Sequence, residues 1–72
     1  MKIKIVIHQE DEGGYSVAVP AFPGCYSCGD TLDEARANIR EAALGWLEAT
    51  NVRQPFGEEG QTQDDLVEEM EL

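Results

Sequence analysis

The chain has 72 residues, of which 15 are acidic and five are Lys or Arg, so its formal net charge at pH 7 is −10. This length predicts one domain, whose small core needs support from oligomerisation, metal or disulfides. The charge disfavours contact with nucleic acids and anionic membranes, and it favours a basic protein partner. Because no apolar run is long enough to span a membrane and no signal-peptide pattern is present, we expect a cytoplasmic protein.

Two alternating segments predict a β-hairpin at the start of the chain. In residues 2–9 three isoleucines alternate with polar or smaller side chains, and in residues 15–20 Tyr15 and two valines share one face. A period of two with β-branched residues is typical of half-buried strands. Three acids and two glycines separate the segments, and glycine supplies the positive φ that a tight turn needs.

Pro20 and Pro23 predict a bend after the second strand, because each removes a backbone donor from the sheet. Residues 25–29 then predict a short third strand that carries Cys25 and Cys28. A single CxxC is half of a four-thiolate zinc site, and residues three apart in a strand point to opposite faces. We therefore expect structural or incidental thiols in preference to a metal or redox site.

Residues 31–50 predict an amphipathic helix that begins with a capping box. The hydroxyl of Thr31 can accept the amide of Glu34, and the Glu34 side chain can return to the Thr31 amide. The apolar side chains fall within a stripe of roughly 140° at helical spacing. They are Leu32, Ala35, Ile39, Ala42, Ala43, Trp46 and Leu47. We expect Tyr15 and Trp46 to pack in the core.

The remainder predicts an acidic loop over residues 51–65 and a final element over residues 66–72. Leu66, Met70 and Leu72 alternate as in a strand, whereas Leu66, Val67 and Met70 fit one helical turn. We favour a strand, because a sheet edge is available to pair with it.

The order of elements predicts a single α+β domain over residues 1–72. It is a two-layer β-β-β-α-β unit with one helix packed on one face of an antiparallel sheet. Nothing in the predicted elements covers the other face. We therefore expect a dimer or higher homo-oligomer, formed through sheet edges or sheet faces.

The side chains do not predict catalysis. Nucleophilic hydrolysis needs a nucleophile, a base and an orienting group in contact, and the one histidine, His8, lies on the polar face of the first strand. Five acids could be proposed as metal ligands, namely Glu10, Asp11, Asp30, Asp33 and Glu34. The first two lie in the predicted turn, and helix capping accounts for the presence of the other three. We predict a non-enzymatic protein with no metal and no cofactor.

An ordered set of short motifs carries a family resemblance. A Gly-Tyr pair in the hairpin precedes VPAFPGC over residues 19–25, GDT over residues 29–31 and EARANIREA over residues 34–42. In this order the motifs resemble the HicB-like antitoxin family over about residues 1–50. The resemblance implies a fold like part of ribonuclease H without its catalytic acids, and it implies self-association.

The resemblance also implies a function. Antitoxins of this family, in type II toxin–antitoxin pairs, bind and neutralise HicA, a small basic mRNA ribonuclease. We expect such a partner to contact Glu10, Asp11, Glu12, Phe22 and Tyr26, with the acidic tail as an alternative to the acidic turn. One alternative is an orphan oligomeric interaction protein of the same fold without a toxin partner. A residual ribonuclease-H-like hydrolase is less favoured.

The sequence departs from the pattern of the family in one respect. HicB antitoxins usually carry a C-terminal DNA-binding module, whereas residues 51–72 are short and acidic. We therefore expect a short, stand-alone member without direct nucleic-acid binding.

Overall fold

The computed structural model describes residues 1–50 and 65–72, which form four strands and one helix. The elements are β1 (Lys2–Gln9), β2 (Tyr15–Ala18), β3 (Tyr26–Gly29), α1 (Leu32–Thr50) and β4 (Leu66–Glu71). Most of the predicted acidic loop, residues 51–64, lies outside the described residues.

The four strands form one sheet in the order β3-β2-β1-β4, and every neighbouring pair is antiparallel. This confirms the predicted two-layer α+β architecture, and it confirms that the final element is a strand. β2 ends at Ala18 and β3 begins at Tyr26, so both strands are shorter than predicted. The bend between them forms its own hydrogen bonds, from Phe22 N to Val19 O at 3.0 Å and from Cys25 N to Phe22 O at 3.0 Å.

The core lies between the sheet and α1, as the two periodicities predict. Strand β1 contributes the three alternating isoleucines, and the apolar stripe of α1 faces them. Phe22, Ile5 and Ile39 are the largest fully buried side chains. Tyr15 and Trp46 pack against this core, as expected.

The capping box forms at the start of α1 with one change of partner. Glu34 N donates to Thr31 Oγ1 at 3.1 Å, as predicted. The Glu34 carboxylate, however, accepts from Asp30 N at 3.2 Å, which corrects the predicted return to the Thr31 amide. The contact still satisfies a backbone donor just before the helix and holds the β3–α1 connection in place.

The double glycine makes the β1–β2 turn. Gly13 and Gly14 have φ values of 103° and 82°, a region that other residues rarely adopt. The turn closes with Glu10 N donating to Gly14 O at 3.0 Å and Gly13 N donating to Glu10 O at 3.1 Å. It therefore presents the side chains of residues 10–12 to solvent at one end of the sheet.

The outer face is the sheet face directed away from α1, and no described element covers it. An apolar row crosses all four strands on this face, because Val6 is opposite both Ala18 and Val67, and Ala18 is opposite Tyr26. A polar row of His8, Ser16 and Cys28 runs beside it. On its other side Lys4 is opposite Glu69 and Lys2 is opposite Glu71.

Candidate partner-binding surfaces

Acidic side chains from two parts of the sequence meet at one end of the molecule. We call this the acidic end, formed by Glu10, Asp11, Glu12, Asp30 and Asp33. Tyr15, which follows the β1–β2 turn, is opposite Gly29, which precedes the β3–α1 connection. A Cβ atom built on Gly14 would lie 3.2 Å from Gly29 O and 3.9 Å from Asp30 Cα, so the two connections are in contact.

All five side chains of the acidic end are exposed. Arg36 balances one of them, because its Nη1 donates to Asp33 Oδ1 at 3.1 Å. Their fields add wherever the carboxylates lie within a Debye length of one another, which is about 8 Å at physiological salt. The acidic end is therefore a concentrated negative surface suited to a basic protein.

The structure places the two aromatic residues of the predicted interface away from the acidic turn and in very different environments. Phe22 is fully buried and stacks on Trp46, with ring centroids 4.4 Å apart and an interplanar angle of 2°. A side chain with no exposed surface cannot touch a partner, so the prediction of Phe22 as a contact residue is corrected to one of shaping the bend. Trp46 fixes this arrangement by donating from Nε1 to Pro23 O at 2.9 Å.

Tyr26 lies on the outer face and is 73% exposed. It is opposite Ala18, three residues along β2 from Tyr15, or roughly 10 Å from the turn end of the strand. A groove of about 510 Å³ lies beside it, lined by Val6, Ala18, Pro20, Pro23, His8 and Asp65 among others. Tyr26 thus belongs to a second surface, different from the acidic end.

His8 pairs with Asp65 at the edge of this groove. His8 Nδ1 donates to Asp65 Oδ1 at 2.8 Å, and the hydrogen bond raises the pKa of His8 above its usual value of 6.5. The sequence does not predict this pair, because Asp65 belongs to the predicted acidic loop. Only the register of β4 on β1, with Leu66 opposite Ile7, brings the carboxylate to the histidine.

Arg36 and Glu68 join α1 to β4 on the inner side of the sheet. Arg36 donates from Nε to Glu68 Oε1 at 2.8 Å and from Nη2 to Glu68 Oε2 at 2.7 Å. This two-pronged contact lowers the pKa of Glu68 and raises that of Arg36. The sequence contains one sign of this contact. Glu68 is an acid at a position of β4 that faces the helix, where the alternation would place an apolar residue.

The two cysteines occupy different environments. Cys25 is buried, which raises the pKa of its thiol, whereas Cys28 is exposed, and both are free thiols. Among residues 1–50 and 65–72, no group of three or more His, Cys, Asp or Glu side chains is arranged to hold a metal ion. Within the same residues, α1 does not combine the length and apolar character of a membrane-spanning helix.

Comparison with known proteins defines the class to which this fold belongs. The family described as "HicB-like antitoxin of bacterial toxin-antitoxin system" matches residues 3–71. The chain therefore belongs to the HicB-like antitoxin family, as its motifs predict.

Individual relatives agree with this assignment. A UPF0150 protein of Thermoplasma acidophilum is 43% identical over 49 residues, which are 68% of this chain and 71% of the relative. A UPF0150 protein of Archaeoglobus fulgidus is 42% identical over 48 residues, covering 67% and 70% of the two chains. The crystal structure of the N-terminal domain of the Burkholderia pseudomallei antitoxin HicB matches with a TM-score of 0.78 and 26% identity, over 100% of this chain and 98% of that one.

Proposed function

We propose that the protein is a non-catalytic antitoxin of the cytoplasm that binds and neutralises a small basic ribonuclease of the HicA type. Family membership supports the class of function, and the acidic end supports the class of partner. The single observation that carries the proposal is the meeting of the β1–β2 turn and the β3–α1 connection, which concentrates exposed carboxylates on one small surface.

Neutralisation follows from competition for the ribonuclease's basic surface. A ribonuclease holds its substrate largely through contacts to phosphate groups, which basic side chains provide. Five clustered carboxylates offer these side chains an alternative set of anionic partners. A net charge of −10 also accelerates the encounter with a basic protein at low salt. In this proposal the acidic end covers the surface that would otherwise bind RNA.

The proposal includes self-association into a dimer or higher oligomer, which the uncovered outer face favours. The second candidate function is an interaction protein of the same fold with no toxin partner. The same uncovered face supports it, because self-association needs no ribonuclease.

A pull-down from native cell extract tests the proposal. The tagged chain is incubated with extract at low and high salt, and bound proteins are identified by mass spectrometry. We expect a small basic protein that high salt releases, because salt screens an interaction between opposite charges. That protein, purified separately, should cleave RNA, and the chain should suppress the cleavage.

A pair of charge-reversal variants locates the contact. Asp11→Lys with Glu12→Lys changes the acidic end, and Glu41→Lys with Glu48→Lys makes the same change of net charge at exposed positions of α1. We expect only the first variant to weaken binding strongly at low salt. Equal weakening by both variants would attribute binding to net charge alone. Recovery of nothing but copies of the chain at both salts would favour the orphan oligomer.

A further inference from the structure

We infer that the outer face of the sheet is the surface on which a second copy of this chain docks, forming a face-to-face dimer centred on the apolar row Tyr26, Ala18, Val6 and Val67. This inference rests on the self-association included in the proposed function and specifies its surface. It is separate from ribonuclease binding, which the proposal assigns to the acidic end.

The apolar row is continuous across the sheet. The register places one apolar side chain on each of the four strands, side by side across the whole sheet. Tyr26 is 73% exposed at one end of the row, and the other three members are half-buried. An exposed apolar row that crosses an entire sheet is the kind of surface that protein interfaces cover, and tyrosine is a frequent anchor in them.

The outer face carries little net charge. Two copies of a chain with a net charge of −10 repel each other, so they can pack closely only where the local charge is low. Both lysines of the sequence, Lys2 and Lys4, lie on the outer face opposite Glu71 and Glu69, and these four charges sum to zero. The remaining acid described on this face, Asp65, is paired with His8. The acidic turn lies at the His8 end of this face, beyond the apolar row, where Glu10 and Asp11 act on His8. The outer face is thus the surface of low net charge on a strongly acidic molecule.

Both sheet edges are unsuited to pairing with a second copy. At the β3 edge, α1 already occupies a backbone acceptor, because Asn38 Nδ2 donates to Cys28 O at 2.7 Å. At the β4 edge, antiparallel pairing of two copies would bring Glu68 and Glu69 of one chain close to the same residues of the other. Like charges on paired strands are destabilising, and charged edges are a common protection against such pairing.

The size of the face predicts a weak dimer. Four strands about 4.8 Å apart, followed for about 20 Å along their length, cover roughly 400 Å² in projection. Standard interfaces take about 800 Å² of accessible surface from each partner, so this dimer should be weaker than a standard one. A face-to-face arrangement also uses the whole outer face, so assembly should stop at two chains.

Sedimentation equilibrium of the full chain, over micromolar to millimolar concentrations, tests the inference. Tyr26→Glu and Val67→Glu place a charge in the apolar row, and Leu44→Glu makes the same change at an exposed leucine of α1. We expect the first two variants to raise the dimer Kd at least about tenfold and the control to leave it nearly unchanged. Circular dichroism verifies folding, and Tyr26→Glu alters a side chain that is already exposed.

The possible outcomes distinguish a failure of the proposed surface from a failure of the proposed self-association. A wild-type chain that stays monomeric refutes self-association, and a dimer that resists both outer-face substitutions refutes the surface alone. A principal species larger than a dimer also contradicts a face that closes on itself. Salt distinguishes the dimer from ribonuclease binding, because screening should strengthen contact between two acidic chains and weaken contact with a basic one.

Discussion

Gly29 and Gly45 lie in very different surroundings, although both are glycines within regular elements. A Cβ atom on Gly29 would overlap the backbone of Glu34 and Ala35, so the absence of a side chain allows β3 to approach α1 closely. A Cβ atom on Gly45 would meet nothing within 4 Å. Gly29 is therefore required by packing, whereas Gly45 only lowers the helix propensity of α1.

Alanine at these two positions should have opposite effects on stability. We expect Gly29→Ala to lower the free energy of unfolding by about 2 kcal/mol, because the backbone must move apart to admit a methyl group. Gly45→Ala should raise it by up to about 1 kcal/mol, the usual difference between the two residues within a helix. Urea unfolding followed by Trp46 fluorescence measures both. A stabilising Gly29→Ala variant would mean that the close approach is absent.

The contact between His8 and Asp65 should be detectable in the pKa of His8. NMR should place the pKa of His8 above 6.5, and Asp65→Asn should lower it, since the Asp65 carboxylate is the main cause of the increase. The pair should stabilise the fold fully below pH 6.5, and this contribution should disappear as the pH rises through the raised pKa. An unchanged His8 pKa in Asp65→Asn would contradict the contact. Glu48→Gln, at an exposed position of α1, serves as the control.

At the level of the elements, the hydrophobic patterns predicted the strands, the helix and their order. They were sufficient because Ile3, Ile5 and Ile7 give β1 one apolar face that must be buried. The apolar stripe of α1 provides a surface that can cover this face. The patterns could not predict contacts that depend on register or on loop paths. The Arg36–Glu68 and His8–Asp65 pairs, and the meeting of the two connections at Gly14, arise only after β4 and the turn are placed.

The link between Arg36 and Glu68 should contribute to the attachment of β4. We expect Glu68→Gln to lower the urea midpoint more than Glu69→Gln, which removes the same charge from the outer side of the strand. Because the pKa of Glu68 is lowered from 4.5, its contribution should be present above pH 4.5 and lost as the pH falls through the lowered value. Equal midpoints for the two variants at neutral pH would show that the contact adds nothing to stability.

At the scale of the whole molecule, charge is distributed unevenly over the described surfaces. The acidic end gathers carboxylates from two connections, while both lysines lie on the outer face. The sequence predicted a basic partner and an uncovered face, but it joined Phe22 and Tyr26 to one interface with the acidic turn. The fold buries Phe22 and places Tyr26 elsewhere, so the chain has two surfaces with different proposed partners.

The most direct test of antitoxin function is a titration of ribonuclease activity. The small basic protein recovered with the chain is assayed for RNA cleavage while the wild-type chain, or the Asp11→Lys, Glu12→Lys variant, is added. We predict that the wild-type chain suppresses cleavage at a stoichiometric ratio and that the variant requires a large excess at low salt. Cleavage that continues unchanged in the presence of excess wild-type chain would contradict the proposed function.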